Sequence, residues 1–244
     1  MISVRKSDSS GWLRGLAATA MAISVLSCSD SGTGPNLASN NNSPGAGTST
    51  FVVMADIDFN DNAAVVGGFT SFYSVNLQDG LGNPVSGATV TIQNSATGTL
   101  TLAEGLPGNP GAYLISGSGA PTGDFRLDVT RGADNVRGVV VGGPGAHTIL
   151  TPMQHDTVAA GDSLLTRWSV PIRAQSVVIE TRNTDPPIAT ADDGSFWIPA
   201  IANPARIDQR LRIYRTNEVN VAGGLSGSWF RVSVRQTVDP YVAQ

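Results

Sequence analysis

Cysteine is nearly missing: Cys28 is the single one in 244 residues. With one thiol no internal disulfide can form, so any folded part must hold by packing alone. Lysine is as scarce; Lys6 stands by itself and every other cation is an arginine. Charged residues make up only 14% of the chain and the net charge is −4. That balance speaks against a nucleic-acid partner, whose phosphates must be neutralised by clustered cations. Histidine is limited to His147 and His155, with no third ligand in any motif from which a zinc site could be composed. No G-x-S-x-G elbow accompanies them, so a serine hydrolase would lack its nucleophile turn. No apolar run reaches the roughly 20 residues of a membrane-spanning helix. Outside the first 27 residues no segment keeps a helical period for ten residues, which excludes a helical fold.

What is present begins with a basic start. Residues 1–14 carry Arg5, Lys6 and Arg14 against Asp8 alone, and Leu16–Leu26, LAATAMAISVL, is uncharged. A basic n-region, a short apolar stretch and a small residue before the cut describe a secretory signal over residues 1–27. The tetrapeptide Val25-Leu26-Ser27-Cys28 resembles the bacterial lipobox. The resemblance implies that the Cys28 thiol takes a diacylglycerol, that cleavage falls just before it, and that the new amino terminus is acylated. Several acyl chains, each stabilising by about 0.8 kcal/mol per buried CH₂, hold a protein on a membrane far more firmly than one. Ser29 is not the aspartate that signals inner-membrane retention in such lipoproteins, so the resemblance implies the outer membrane, with the facing side open. Residues 28–50 then form a tether in which Leu37 is the only large apolar residue. A Ser/Gly/Asn/Pro mixture of this kind buries too little surface to order, and its typical reach is roughly 25 Å. Cleavage would remove three cations and one acid, leaving twelve arginines against eighteen acids, net −6.

From residue 51 onward the pattern is that of short strands joined by turns. In Asp124–Thr130, DFRLDVT, Phe125, Leu127 and Val129 alternate with polar residues, the period of a half-buried strand. GATVTIQNS, VRGVVVGG, SVVIETR, RLRIYRTN and SWFRVSVRQT read the same way. Asp79-Gly80, Gly82-Asn83-Pro84, Pro107-Gly108, Asn109-Pro110-Gly111, Asp193-Gly194 and Gly223-Gly224 supply turns between them. Strands at such spacing predict an all-β fold of two β-sandwiches, 51–145 and 146–244, divided near Gly142-Gly143-Pro144-Gly145. LQDGLGNPVSGATVTI, followed by GAYLISG and GDFRLDVTRGADNVRGVVV, resembles the carboxypeptidase-regulatory-like and bacterial immunoglobulin-like modules. That resemblance implies an immunoglobulin-like fold with Pro84 at an edge and Val90 and Ile92 inward, and no peptidase activity. The second half, with Ala-Gly-Asp before an apolar strand and Trp168, is similar to another bacterial immunoglobulin-like domain. There Trp168 would be the core tryptophan, without the antibody-type disulfide.

Two constellations could carry chemistry. In ADIDFNDN, Asp56, Asp58 and Asp61 stand among asparagines like the front of a calcium loop. Gly is missing at the sixth position and the twelfth is Gly67, so an EF-hand is excluded. A looser Ca²⁺ site on Asp56, Asp58 and Asp61 competes with a solvated turn whose side chains cap backbone amides. The second lies in the last hairpin. If the strands at Arg210–Arg215 and Ser228–Gln236 pair, alternation turns Arg210, Arg212, Tyr214, Trp229, Arg231, Ser233 and Arg235 outward. Leu211, Ile213, Phe230, Val232 and Val234 would then face inward. Such a basic, aromatic face suits an anionic glycan or an acidic partner; the competing reading is cross-strand pairing with Glu180, Asp208 or Glu218, each pair worth under about 1 kcal/mol. Trp197 and Phe196 must point opposite ways, and the two histidines read as surface residues of a linker. The expectation is a non-catalytic, lipid-anchored envelope protein acting in binding, adhesion or spacing, with an accessory carbohydrate- or matrix-binding protein that uses the Arg/aromatic face as the alternative. It has no cofactor, its partners are the membrane and a glycan or envelope protein, and a hydrolase is a remote alternative.

Overall fold

The computed structural model describes residues 50–105 and 109–244. The signal, Cys28, the tether up to residue 49 and the Pro107-Gly108 turn lie outside the described residues. Within them the regular structure is strand, apart from one 3₁₀ turn at Ala200–Ala202, with no α-helix. The strands are β1 (Val52–Asp61), β2 (Phe69–Gln78), β3 (Thr89–Asn94), β4 (Gly98–Glu104) and β5 (Ala112–Ser118). Next come β6 (Asp124–Arg131), β7 (Asp134–Gly142), β8 (Ile149–Thr151), β9 (Thr157–Val158) and β10 (Leu164–Trp168). The chain closes with β11 (Ser176–Thr181), β12 (Ile188–Thr190), β13 (Ser195–Ile198), β14 (Arg206–Asn220) and β15 (Trp229–Ala243).

They build one large mixed sheet and one small sheet. The large sheet runs β12-β11-β14-β15-β1-β2-β5-β4-β3-β6-β7, with β9 beside β15; the small one runs β13-β10-β8. β4 turns the corner, pairing with β3 along Val90↔Leu102 to Asn94↔Gly98 and with β5 only at Ala103 and Glu104. The first core lies where β6 and its neighbours fold over β1 and β2, as the ring contact Phe59–Phe125 at 5.7 Å shows. The second closes between β11, β14 and β15 on one side and the small sheet on the other.

The chain division near residue 145 coincides with the end of β7, yet it does not separate the two cores. Hairpin β14–β15, fifteen residues a side and about 50 Å long at 3.3 Å per residue, serves both. Phe230, Val232 and Val234 complete the first core, whereas Leu211, Ile213, Val238 and Tyr241 belong to the second. The physical reason is β1. It lies parallel to β15, Met54 opposite Trp229 through Asn60 opposite Arg235, and so stitches the first sheet onto the last strand. ADIDFND thus lies in strand β1, where Ala55, Ile57 and Phe59 point into the core while Asp56, Asp58 and Asn60 point out; only Asn62 stands in the turn that follows, its side chain accepting from the Ala64 amide.

The first turn is built as expected. Asp79 accepts hydrogen bonds from the backbone of Leu81 and Asn83, Pro84 bridges to Gln78 at the edge, and Val90 and Ile92 are buried. Behind it Gly111 has φ +75°, and a Cβ there would stand 2.7 Å from the Leu77 carbonyl oxygen and 2.8 Å from the Val85 amide nitrogen. Gly111→Ala should therefore lose about 2 kcal/mol, from the left-handed backbone and the clash together. Gly132→Ala, at φ +59° with open space around it, should lose only about 1 kcal/mol. Urea unfolding of the two variants checks the difference, and equal losses would contradict it.

Candidate functional site

The shared hairpin gives the large sheet a single outward face crossing both halves of the chain. One row reads Ser176, Thr216, Ser233, Asp58 and Phe72 across β11, β14, β15, β1 and β2. The next on one side is Val178, Tyr214, Arg235, Asn60; on the other it is Glu218, Arg231, Asp56, Ser74. Where these rows cross the seam, an open groove of about 520 Å³ runs over them, walled at the β12 side by Pro187.

The alternation expected for the last hairpin holds. β14 and β15 pair, Leu211, Ile213, Phe230, Val232 and Val234 are fully buried, and Arg210, Arg212, Tyr214, Trp229, Arg231 and Arg235 share the outer face. The electrostatics differ from a free basic patch. Glu180 receives Arg210 at 2.7 Å and Arg212 at 3.2 Å on one oxygen, and the Tyr214 hydroxyl donates to its other oxygen at 3.1 Å. Arg231 donates to Asp56 at 2.7 Å, lies over the Trp229 ring at 4.5 Å and has Glu218 at 4.0 Å. Asp208, the third carboxylate expected to pair, is held by Arg206 instead. Arg235 makes no ion pair among the described residues. Most of the basic character is thus neutralised across strands. The signal was in the sequence as Glu180 on the neighbouring strand, although its register against Arg212 was not.

Asp58 is the exception on the floor of the groove. Its carboxylate takes part in no hydrogen bond among the described residues. Partial burial raises its pKa, and the charge of Asp56 adds to that; Arg231 and Arg235 pull the other way. The extended strand sets Asp56 and Asp58 about 7 Å apart on one face and gives Asp61 the opposite phase, where it accepts from the Thr237 amide at 3.2 Å. Among the described residues no three His, Cys, Asp or Glu side chains gather closely enough to hold a metal ion.

A second polar cluster is closed to solvent, and sequence reasoning missed it. Arg215 is 0% exposed. Its guanidinium donates to both oxygens of Asp192, the closest contact being 2.6 Å, and to the carbonyls of Pro144, Gly145 and Ile172. Asp192 also accepts from the Trp168 indole at 2.8 Å and the Ala174 amide at 2.7 Å. Burial alone would raise the Asp192 carboxyl; these donors together outweigh it and hold it below the usual carboxylate range. His147 lies in the same interior, 2% exposed, which corrects its reading as a surface residue. Burial, and then the Arg215 charge, lower its pKa from 6.5 to about 4. His155, by contrast, is exposed in a turn at φ +67°, so the two histidines share no site. Trp168 is the buried tryptophan expected of the second half. Phe196 packs toward that core while Trp197, 59% exposed, looks out from the small sheet.

No protein-family model matches the sequence, and no curated protein matches it. Among solved structures, the adhesin InvE of Yersinia pseudotuberculosis aligns with 75% of this chain at 18% identity and a TM-score of 0.25. The alignment takes in 58% of the adhesin's own length. A TM-score so low carries neither architecture nor function from one to the other.

Proposed function

We propose that this chain is a non-catalytic cell-envelope lipoprotein, held at the outer membrane through Cys28, whose immunoglobulin-like modules act by binding. In this reading the first module is of the carboxypeptidase-regulatory-like kind and the two are fused through the β14–β15 hairpin. The groove across the seam carries the binding part of the proposal. It draws Asp58 from the first half and Tyr214, Thr216 and Glu180 from the second into one open surface. Such convergence of a few polar groups beside apolar walls is the usual form of a ligand site. The basic start, the uncharged stretch and the Val25–Cys28 tetrapeptide support the anchor. The reading needs neither a cofactor nor a metal.

Two measurements test it separately. Intact-mass spectrometry of the membrane-extracted chain should give a product beginning at Cys28 and carrying a diacylglycerol and a further acyl chain. A Cys28→Ser variant should then leave the membrane fraction, and an unmodified parent mass would end the anchor proposal. For the groove, Ser176 is exposed, so Ser176→Trp can fill the cleft from its rim without disturbing a core. Cells displaying this variant should adhere at least tenfold less to surfaces coated with envelope or matrix polysaccharide than cells displaying the parent chain. Equal adhesion would sink the groove as the binding site.

A further inference from the structure

We propose that the groove takes an uncharged, polyhydroxylated chain: an oligosaccharide without carboxylate, sulfate or ammonium groups. The inference rests on the groove being the binding site, and it narrows the ligand by charge and by unused hydrogen-bonding capacity.

Charge is the first constraint. Four guanidinium groups, Arg210, Arg212, Arg231 and Arg235, share the face with four carboxylates, Asp56, Asp58, Glu180 and Glu218. Two of those arginines are committed to Glu180, and Arg231 to Asp56 at 2.7 Å. An anionic polymer would have to break these pairs to find cations, since of the four only Arg235 lacks one among the described residues. A cationic segment meets the converse difficulty, because the free carboxylate Asp58 lies between the charges of Arg231 and Arg235, both of which act on it. With charges balanced over one debye length, about 8 Å at physiological salt, neither sign of ligand is drawn in.

Hydrogen-bonding capacity is the second constraint. The groove floor leaves acceptors without donors. Among the described residues Asp58 has none, and Glu218 is held only by Arg231 at 4.0 Å. Hydroxyl groups supply donors to such half-buried carboxylates without bringing a charge of their own. Apolar surface lies beside them: the Tyr214 ring, Val178 and Pro187 line the groove, and Phe72, 41% exposed, continues the Asp58 row. Sugar rings present the matching combination, hydroxyls at the edge and C–H groups on the face. The groove is open along its length, which suits a chain better than a single small molecule.

Isothermal titration of the full chain, solubilised in a polyoxyethylene detergent without sugar headgroups, decides the matter. The probes are neutral glucan, mannan and chitin oligosaccharides, a sulfated oligosaccharide, a polyuronate and an oligolysine. A neutral oligosaccharide should bind, with affinity changing less than about twofold between 50 and 500 mM NaCl because no ion pair is formed. Asp58→Asn and Tyr214→Ala should each weaken it about tenfold or more, while Trp197→Ala, on the other sheet, should leave it unchanged. Salt-sensitive binding of the sulfated, uronate or lysine probe in place of the neutral ones, lost on Ser176→Trp, would overturn the inference and keep the groove. Loss of cell adhesion on Ser176→Trp with no neutral oligosaccharide bound would do the same. No titration with any probe, together with full adhesion of Ser176→Trp, would remove both.

Discussion

Replacing Arg215 with alanine is expected to lower stability by about 3–5 kcal/mol, the range for removing one partner of a buried ion pair. For a body of this size that is a fall in Tm of roughly 10 °C. The loss is large because of what Arg215 leaves behind. Asp192 would be left without its cation at 0% side-chain exposure, and the Pro144 and Gly145 carbonyls would lose their donor inside the fold. Arg215→Lys keeps the charge but not the five-donor fork, so it should recover only part of the loss. The double variant Arg215→Met with Asp192→Leu separates two accounts. An isolated buried pair can be exchanged for apolar residues at little net loss. Here the Trp168 indole and the Ala174 amide would be stranded as well, each unsatisfied group costing about 1–3 kcal/mol. The double variant should therefore remain well below the parent. Urea unfolding followed by tryptophan fluorescence measures all three. A single-variant loss under about 1 kcal/mol, or a double variant as stable as the parent, would mean that the cluster does not tie the Pro144-Gly145 connection to the second core.

Arg215 also marks how far the sequence can be read. Alternation along β14 turns Leu211 and Ile213 inward, and the same phase carries Arg215 inward two residues later. Taken alone, that phase looks like a strand ending, since an unpaired charge does not enter a core. Its partner, Asp192, sits in a turn that reads as ordinary punctuation before Gly194. Only contacts between distant segments reveal the pair. Strand β1 failed to be read for a related reason. Ala55, Ile57 and Phe59 kept a period of two, but the aspartates between them satisfied a calcium-loop spacing as well. β1 is a strand by its antiparallel hairpin with β2; what places it at the middle of the sheet is β15, more than 170 positions away, in parallel pairing for which no local signal exists. The outer face of the last hairpin was legible because both strands lie close in sequence and alternate strongly. Its neutralisation by Glu180, and its continuation onto Asp58, depended on register and on β1, which alternation within the hairpin does not contain.

The second large effect is on pH. His147 is neutral in the folded chain, its pKa near 4 against 6.5 when unfolded. As pH falls below 6.5 the unfolded chain takes up a proton that the folded chain refuses. Stability is therefore intact above about pH 7 and is lost progressively down to pH 4, by ~3 kcal/mol in total. Burial is the main cause and the Arg215 guanidinium the next, while Asp192 and the Ile213 backbone act in the opposite sense. Carboxylates held low by donors, such as Asp192, lose their contribution only at lower pH. Asp58, whose pKa is raised, works the other way and gains stability as the solution is acidified. The window from pH 6.5 to about 4.5 thus belongs chiefly to His147. Urea midpoints measured at pH 7.5, 6.0, 5.2 and 4.5 should fall steadily for the parent chain. For His147→Gln, which does not titrate, they should stay nearly level across the same window, whatever the variant's stability at pH 7.5. Parallel pH slopes in the two chains would show that the imidazole titrates in the fold as it does in water, and that Arg215 and the core around it do not exclude its proton.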